Sequence, residues 1–147
     1  MTAIITPIKP RIYIAGKFFA RNRLRVVKRQ LEQLGYDVLS EWIDPQPLDD
    51  GLGGDYDSIG THLEDSQKIA ARDEQEVRLA DIFIIDTQDE SATGGREVEF
   101  GMATILECEL YRVGPIRNVF HSRVPADHCF SNWTDLVKSL WLEDYHG

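Results

Sequence analysis

The chain has 147 residues, 42% apolar and 28% charged, which suits one domain, residues 1–147, with a single hydrophobic core. Sixteen basic residues against 25 acidic leave a net charge of −9, which argues against a polynucleotide partner but allows a small nucleotide in a local basic pocket. The longest apolar runs, such as Ile82-Phe83-Ile84-Ile85, are too short for a bilayer, and Met1 to Pro10 lacks the features of a signal peptide, so a cytoplasmic protein without a membrane partner is expected.

Arg11-Ile12-Tyr13-Ile14-Ala15-Gly16 reads as a buried first strand ending at glycine. Leu24, Val27, Leu31 and Leu34 then recur at helical spacing, and Gly35 closes that helix as a C-terminal cap. A second strand is expected over Tyr36 to Ser40. The stretch Asp44 to Gly60, rich in Pro, Gly and Asp, reads as a long loop, and loops of that length are often active-site lids. A helix follows from Thr61 to Leu79, then a strand from Asp81 to Asp86. The turn Thr87 to Gly95 leads into a helix expected from Arg96 to Tyr111. A strand over Arg117 to His121, a polar loop and a last helix capped by Ser131 or Asn132 complete the chain. Strand and helix alternate throughout. The expected fold is therefore α/β, a flavodoxin/Rossmann-like three-layer α/β/α arrangement around a parallel sheet of about five strands.

In such sheets ligands bind beyond the carboxyl ends of the strands, which singles out the loops after Gly16, from Asp86 to Gly95 and after His121. Fold alone names no activity. Cys108 and Cys129 form no CxxC pair, and the four histidines have no HxxxH or HxH spacing, so neither a disulfide framework nor a structural metal is indicated.

Several residues look placed for chemistry. Glu99, in Gly94-Gly95-Arg96-Glu97-Val98-Glu99-Phe100-Gly101, is expected in the opening turn of its helix, where the dipole favours an ionised carboxylate able to attack a sugar carbon. The alternative for Glu99 is a plain charge–dipole pairing, which would serve Glu97 equally well. Gly95 lets a ligand approach the main chain, and Gly101 leaves space beside the helix. Asp73 falls on the apolar stripe of Ile69, Ala70, Val77 and Ala80, whereas Arg72, Glu74 and Gln75 are expected to point elsewhere. An inward carboxyl group with a raised pKa suits a general acid, although a buried Asp capping a loop is an equal reading. Tyr13 either offers its hydroxyl to a ligand carboxylate or is a core aromatic. Lys17, Arg21, Arg23 and Arg25 either hold a phosphate or form a solvated helix face.

Taken in order, Ile12-Tyr13-Ile14-Ala15-Gly16, Ala70-Ala71-Arg72-Asp73 before Ala80-Asp81, and Gly95-x-x-x-Glu99-x-Gly101 resemble the nucleoside 2-deoxyribosyltransferases. The chain is equally similar to their relatives, the 2′-deoxynucleoside 5′-monophosphate N-hydrolases. Val113-Gly114-Pro115 and Asn118-Val119-Phe120-His121 resemble bacterial and phage members. The match spans nearly the whole chain except the Asp44–Gly60 loop.

The resemblance implies catalytic Glu99, Asp73 and Tyr13. Glu99 attacks C1′ to give a covalent deoxyribosyl–enzyme, Asp73 protonates the departing base, and Tyr13 orients the glutamate. An acceptor nucleobase, or water, then resolves the intermediate. This is the logic of retaining glycosidases, whose two carboxyl groups stand about 5 Å apart. No metal or organic cofactor is implied. Gly16, Lys17, Asp86, Thr93, Gly95 and Asn118 are the candidate substrate-binding residues. The partners implied are a small deoxynucleoside or deoxynucleotide, a nucleobase and further copies of the chain, with Asn118 to His121 as the segment that meets a neighbouring subunit.

One departure stands out. Transferases of this family carry an acidic residue that holds the 5′-hydroxyl, where this chain has Thr93-Gly94-Gly95. A hydroxyl suits a phosphate better than a carboxylate does, and with the basic cluster after Gly16 this leans toward a monophosphate substrate, unless Thr93 simply terminates a turn or Asp89 or Glu90 reaches the hydroxyl instead. Base transfer is the first reading, hydrolysis of a deoxynucleoside monophosphate the second, and a non-catalytic nucleotide-binding module a more distant third. A phosphate-accepting receiver domain would need an acidic pair after the first strand, where this chain has Ala15-Gly16-Lys17.

Overall fold

The structure is a computed structural model that describes residues 9–45, 63–91 and 93–146. Most of the Asp44–Gly60 loop lies outside those residues. Five strands form one wholly parallel sheet: β1 (Arg11–Ala15), β2 (Asp37–Val38), β3 (Ile82–Asp86), β4 (Glu109–Val113) and β5 (Cys129–Phe130). Their order is β2-β1-β3-β4-β5. Four helices cover it: α1 (Arg21–Gln33), α2 (Leu63–Leu79), α3 (Gly95–Ile105) and α4 (Trp133–His146). α2 packs with α3 and α1 with α4, one pair on each face, which makes the three layers expected of this element order. Among the described residues no helix is long and apolar enough to cross a membrane.

β3 is the central strand and pairs with β1 in register from Ile12 opposite Ile82 to Ala15 opposite Ile85. Their residues Ile12 to Ala15 and Ile82 to Asp86 are all buried, as strands covered on both faces must be. Leu24, Val27 and Leu31 supply the core face of α1. That helix stops where Gly35 takes φ +97° and the Tyr36 N–H bonds the Leu31 carbonyl at 3.1 Å. α4 is capped by Asn132, whose Oδ1 accepts the Asp135 N–H at 2.9 Å.

The chain departs from the sequence-based expectation after α3. The helix does not run to Tyr111 but ends at Ile105, and Glu109–Val113 is strand β4. The stop is made by Glu107 in the left-handed region at φ +61°, with the Cys108 N–H bonded to the Ala103 carbonyl at 3.0 Å. A left-handed cap usually announces itself as glycine or asparagine, and here it does not. The strand expected over Arg117 to His121 is instead a 3-10 turn, Val119–Arg123, capped by Asn118. The second strand is shorter than Tyr36 to Ser40, and the fifth, two residues long, falls in the expected polar loop.

Candidate active site

Tyr13 is fully buried in β1, and its ring stacks on Phe83 with centroids 5.7 Å apart. Its hydroxyl donates a hydrogen bond to Glu99 Oε2. Tyr13 is therefore both a core aromatic and the hydrogen-bond partner of a carboxyl group. Burial, then the charges of Glu99 and Asp73, hold its pKa well above the usual phenol value, so it stays a donor.

Glu99 is not in the opening turn of α3. Gly94 caps that helix in the left-handed conformation at φ +79°, which places Glu97 in the first turn and Glu99 in the next. The two glutamates consequently have different surroundings. Burial works to raise the Glu97 pKa, but hydrogen bonds from His121 and Asn118, helped by the Arg96 charge, outweigh it and lower it. His121 Nε2 lies 2.7 Å from Glu97 Oε2, and because His121 Nδ1 accepts the Arg117 N–H at 3.0 Å, Nε2 is the donor. Glu99 is partly exposed yet set deep among protein atoms, and its pKa is pushed up to about 8. Desolvation is the main cause, followed by the Asp73 charge and, more weakly, Glu76; the Tyr13 hydrogen bond and Arg72 oppose them. The expectation that the helix dipole keeps Glu99 ionised is thus corrected: beyond the first turn the dipole fades, and desolvation wins.

α2 brings Asp73 to the same place. Its side chain is 19% exposed and accepts from Arg72 Nη2 at 2.9 Å. Arg72 was expected to point away, but it is half-buried, and its charge is felt at both Glu99 and Glu76. A long side chain reaches around its helix, which stripe counting does not register. Glu76, one turn beyond Asp73, is buried, and its carboxyl is pushed up to about 7, chiefly by desolvation. The sequence reading missed it, although Asp73 and Glu76 are spaced i, i+3 on the inward stripe. Tyr13, Asp73, Glu76 and Glu99 thus form one acidic cluster between α2, α3 and the sheet. Among the described residues no three His, Cys, Asp or Glu side chains are arranged to hold a metal ion. Gly101 is exposed and lines a groove with Glu74, Arg78 and Ile105, a different environment from that of Glu99.

The candidate substrate-binding residues are more dispersed. Gly16 follows β1, and a Cβ there would lie 2.9 Å from Leu24 Cδ1, so a larger residue would displace the tip of that buried side chain. Asp86, at the carboxyl end of β3, is 2% exposed and occupied: its Oδ2 accepts from Trp133 Nε1 at 2.7 Å and Arg23 Nη2 at 3.1 Å, and its Oδ1 from the Gln88 N–H at 2.9 Å. Arg23 also bonds Asp89 at 2.9 Å. Arg25 bonds the Ile43 carbonyl at 3.0 Å, and Arg21 lies over the Phe18 ring at 4.6 Å. The Lys17 side chain forms no hydrogen bond or ion pair with a described residue. Thr93 is exposed, 3.4 Å from the Ser91 hydroxyl, and a Cβ at Gly95 would meet open space. Asn118 is spent on the Phe120 and His121 N–H groups and on Glu97, 3.0 Å from its Nδ2. Arg96, also missed, is buried and ties down the Asp86–Gly94 turn through the carbonyls of Asp86 (3.1 Å) and Asp89 (2.7 Å).

No protein-family model matches the chain, and none of the curated proteins does. Solved structures do. A 2-deoxyribosyltransferase from the psychrotolerant bacterium Bacillus psychrosaccharolyticus is similar with a TM-score of 0.62 and 25% identity, over 86% of this chain and 90% of that one. The CMP N-glycosidase of Clostridium botulinum is similar in fold, with a TM-score of 0.56 and 12% identity over 88% of this chain and 97% of its own. The resemblance carried by the three sequence motifs is therefore matched by a likeness in three dimensions over most of the chain.

Proposed function

We propose that the chain cleaves the N-glycosidic bond of 2′-deoxynucleosides through a covalent deoxyribosyl–Glu99 intermediate and transfers the deoxyribose to an acceptor nucleobase. The observation that carries this reading is the Tyr13–Glu99 hydrogen bond beside Asp73, within a fold shared with a 2-deoxyribosyltransferase. With Tyr13 holding Oε2, Oε1 of Glu99 is left to attack C1′. The C1′–N bond breaks as the new C1′–O bond forms, and the base leaves with the bonding electrons and takes a proton from Asp73. In the second half an acceptor base attacks C1′ through nitrogen, returns a proton to Asp73 and releases Glu99. Glu99 must be ionised to attack, so kcat/KM rises with pH along a limb set by a carboxyl group that titrates near 8 in the empty site.

The basic residues after Gly16 favour a nucleoside over its monophosphate. Arg23 is neutralised by Asp86 and Asp89, and Arg25 is held by a carbonyl and the Asp44 carboxylate 3.8 Å away. A phosphate would have to break these pairs or rely on Lys17. Deoxynucleoside monophosphate hydrolysis, with water as acceptor, is favoured by Thr93 in place of an acidic residue and remains the second reading. Incubation with deoxyinosine or a deoxynucleoside monophosphate, with and without free adenine, separates the two. New nucleoside formed only when adenine is present supports transfer. Free base with deoxyribose phosphate supports hydrolysis, and no product from any mixture refutes both.

A further inference from the structure

This inference rests on the reading of Glu99 as nucleophile and Asp73 as proton donor. Glu76 is 8% exposed on the inward stripe of α2, one turn beyond Asp73. Its Oε1 accepts the Glu41 N–H at a long 3.4 Å, and it forms no ion pair with a described residue. Among the described residues, the charged and titratable groups that act on it and its neighbours are Glu41 from the turn after β2, Tyr13 from β1, Glu99 from α3, and Arg72 and Asp73 from its own helix. A buried carboxyl group with one weak backbone contact is costly where an apolar residue would fill the stripe without penalty.

Three carboxyl groups that repel one another in a poorly solvated site do not all ionise at once, and they titrate as a set. We infer that Glu76 is a positioning residue that acts through Asp73 and Glu99: its negative charge, facing both from α2, keeps one proton on that pair. A nucleophile and a general acid require one carboxylate and one carboxylic acid at the same pH. Arg72 Nη2, 2.9 Å from Asp73 Oδ1, favours a carboxylate there, and a carboxylate has no proton to give the departing base. Glu76 opposes that ionisation, and it raises the pH at which Glu99 ionises by the same repulsion. Removing its charge therefore lets both members of the pair release their protons earlier.

The test is the pH profile of kcat/KM for deoxyinosine and adenine, measured on the full chain and on Glu76→Gln, with Glu74→Gln as control. Glutamine keeps an acceptor for the Glu41 N–H, and Glu76→Met gives a second uncharged variant if that one folds poorly. Both limbs of the bell are expected to move down by about one pH unit in the Glu76 variants and to stay in place in the control. A profile that loses height without moving overturns the inference and leaves the nucleophile reading standing. Carbon-13 titration of the Glu99 carboxyl in the ligand-free proteins reads the same coupling without turnover. A lower midpoint in Glu76→Gln supports it and an unchanged one overturns it, even if the parent protein transfers no deoxyribose.

Discussion

Replacing Glu99 by glutamine is expected to stop turnover and, at the same time, to stabilise the fold above neutral pH. The Glu99 carboxyl is pushed up to about 8 from an ordinary 4.5. Between those values the folded protein keeps a proton that the unfolded chain has released, so parent stability falls as pH rises through that window. Each tenfold change in proton concentration is worth about 1.4 kcal/mol, which gives an upper bound on the order of 4–5 kcal/mol once the group is ionised. Partial solvent contact and the exchange of a charge-assisted bond from Tyr13 for a neutral one reduce the net gain to about 2 kcal/mol. For a chain of this length that corresponds to a rise in Tm of about 5–8 °C. Thermal unfolding followed by circular dichroism at about pH 5 and about pH 8.5 provides the comparison. Glu99→Gln should match the parent at the lower pH and exceed it at the higher. An equal difference at both pH values, or a variant less stable at the higher one, would refute the reasoning.

Asp73→Asn should slow transfer most for bases that leave poorly without protonation, by about 10²–10⁴-fold, and equal slowing across bases would count against an acid role. Tyr13→Phe removes the hydrogen bond that favours ionised Glu99, so the acid limb of its pH profile should move up, opposite to the Glu76 variants. A lower plateau with an unmoved limb would assign Tyr13 to packing alone. Gly114→Ala should cost about 2 kcal/mol or more in urea unfolding, because φ is +116° and the new Cβ would lie 2.6 Å from Thr87 Oγ1. Unaltered stability there would mean that the β4 turn relaxes.

Much of the architecture was legible because local signals agreed with it. The run Ile12 to Ala15 ends at Gly16, and the heptad-like spacing of Leu24, Val27 and Leu31 ends at Gly35, whose φ of +97° only glycine adopts easily. The reading failed where that agreement lapsed. Glu107 makes a left-handed stop without glycine, so the α3 pattern ran on into β4, and Cys129–Phe130 is too short for any period to register. The sheet itself was predicted as parallel and five-stranded, and it is. At the site, spacing brought Asp73 inward and the motif singled out Glu99, but the electrostatics depended on tertiary neighbours. Whether Glu97 or Glu99 feels the helix dipole turned on where Gly94 caps the helix. The reach of Arg72 and the burial of Glu76 depend on α3 and on the turn after β2, elements distant in sequence. Asp86 looked available at a strand end until Trp133, from the last helix, closed over it.

The most direct test is the covalent intermediate itself. Protein quenched in acid during turnover of deoxyinosine, then digested and examined by mass spectrometry, should carry one deoxyribosyl group on the peptide containing Glu99. That adduct should vanish in Glu99→Gln and fall when adenine is added as acceptor. Turnover without any adduct, or an adduct on another residue, would contradict the assignment of Glu99 as the group that attacks C1′.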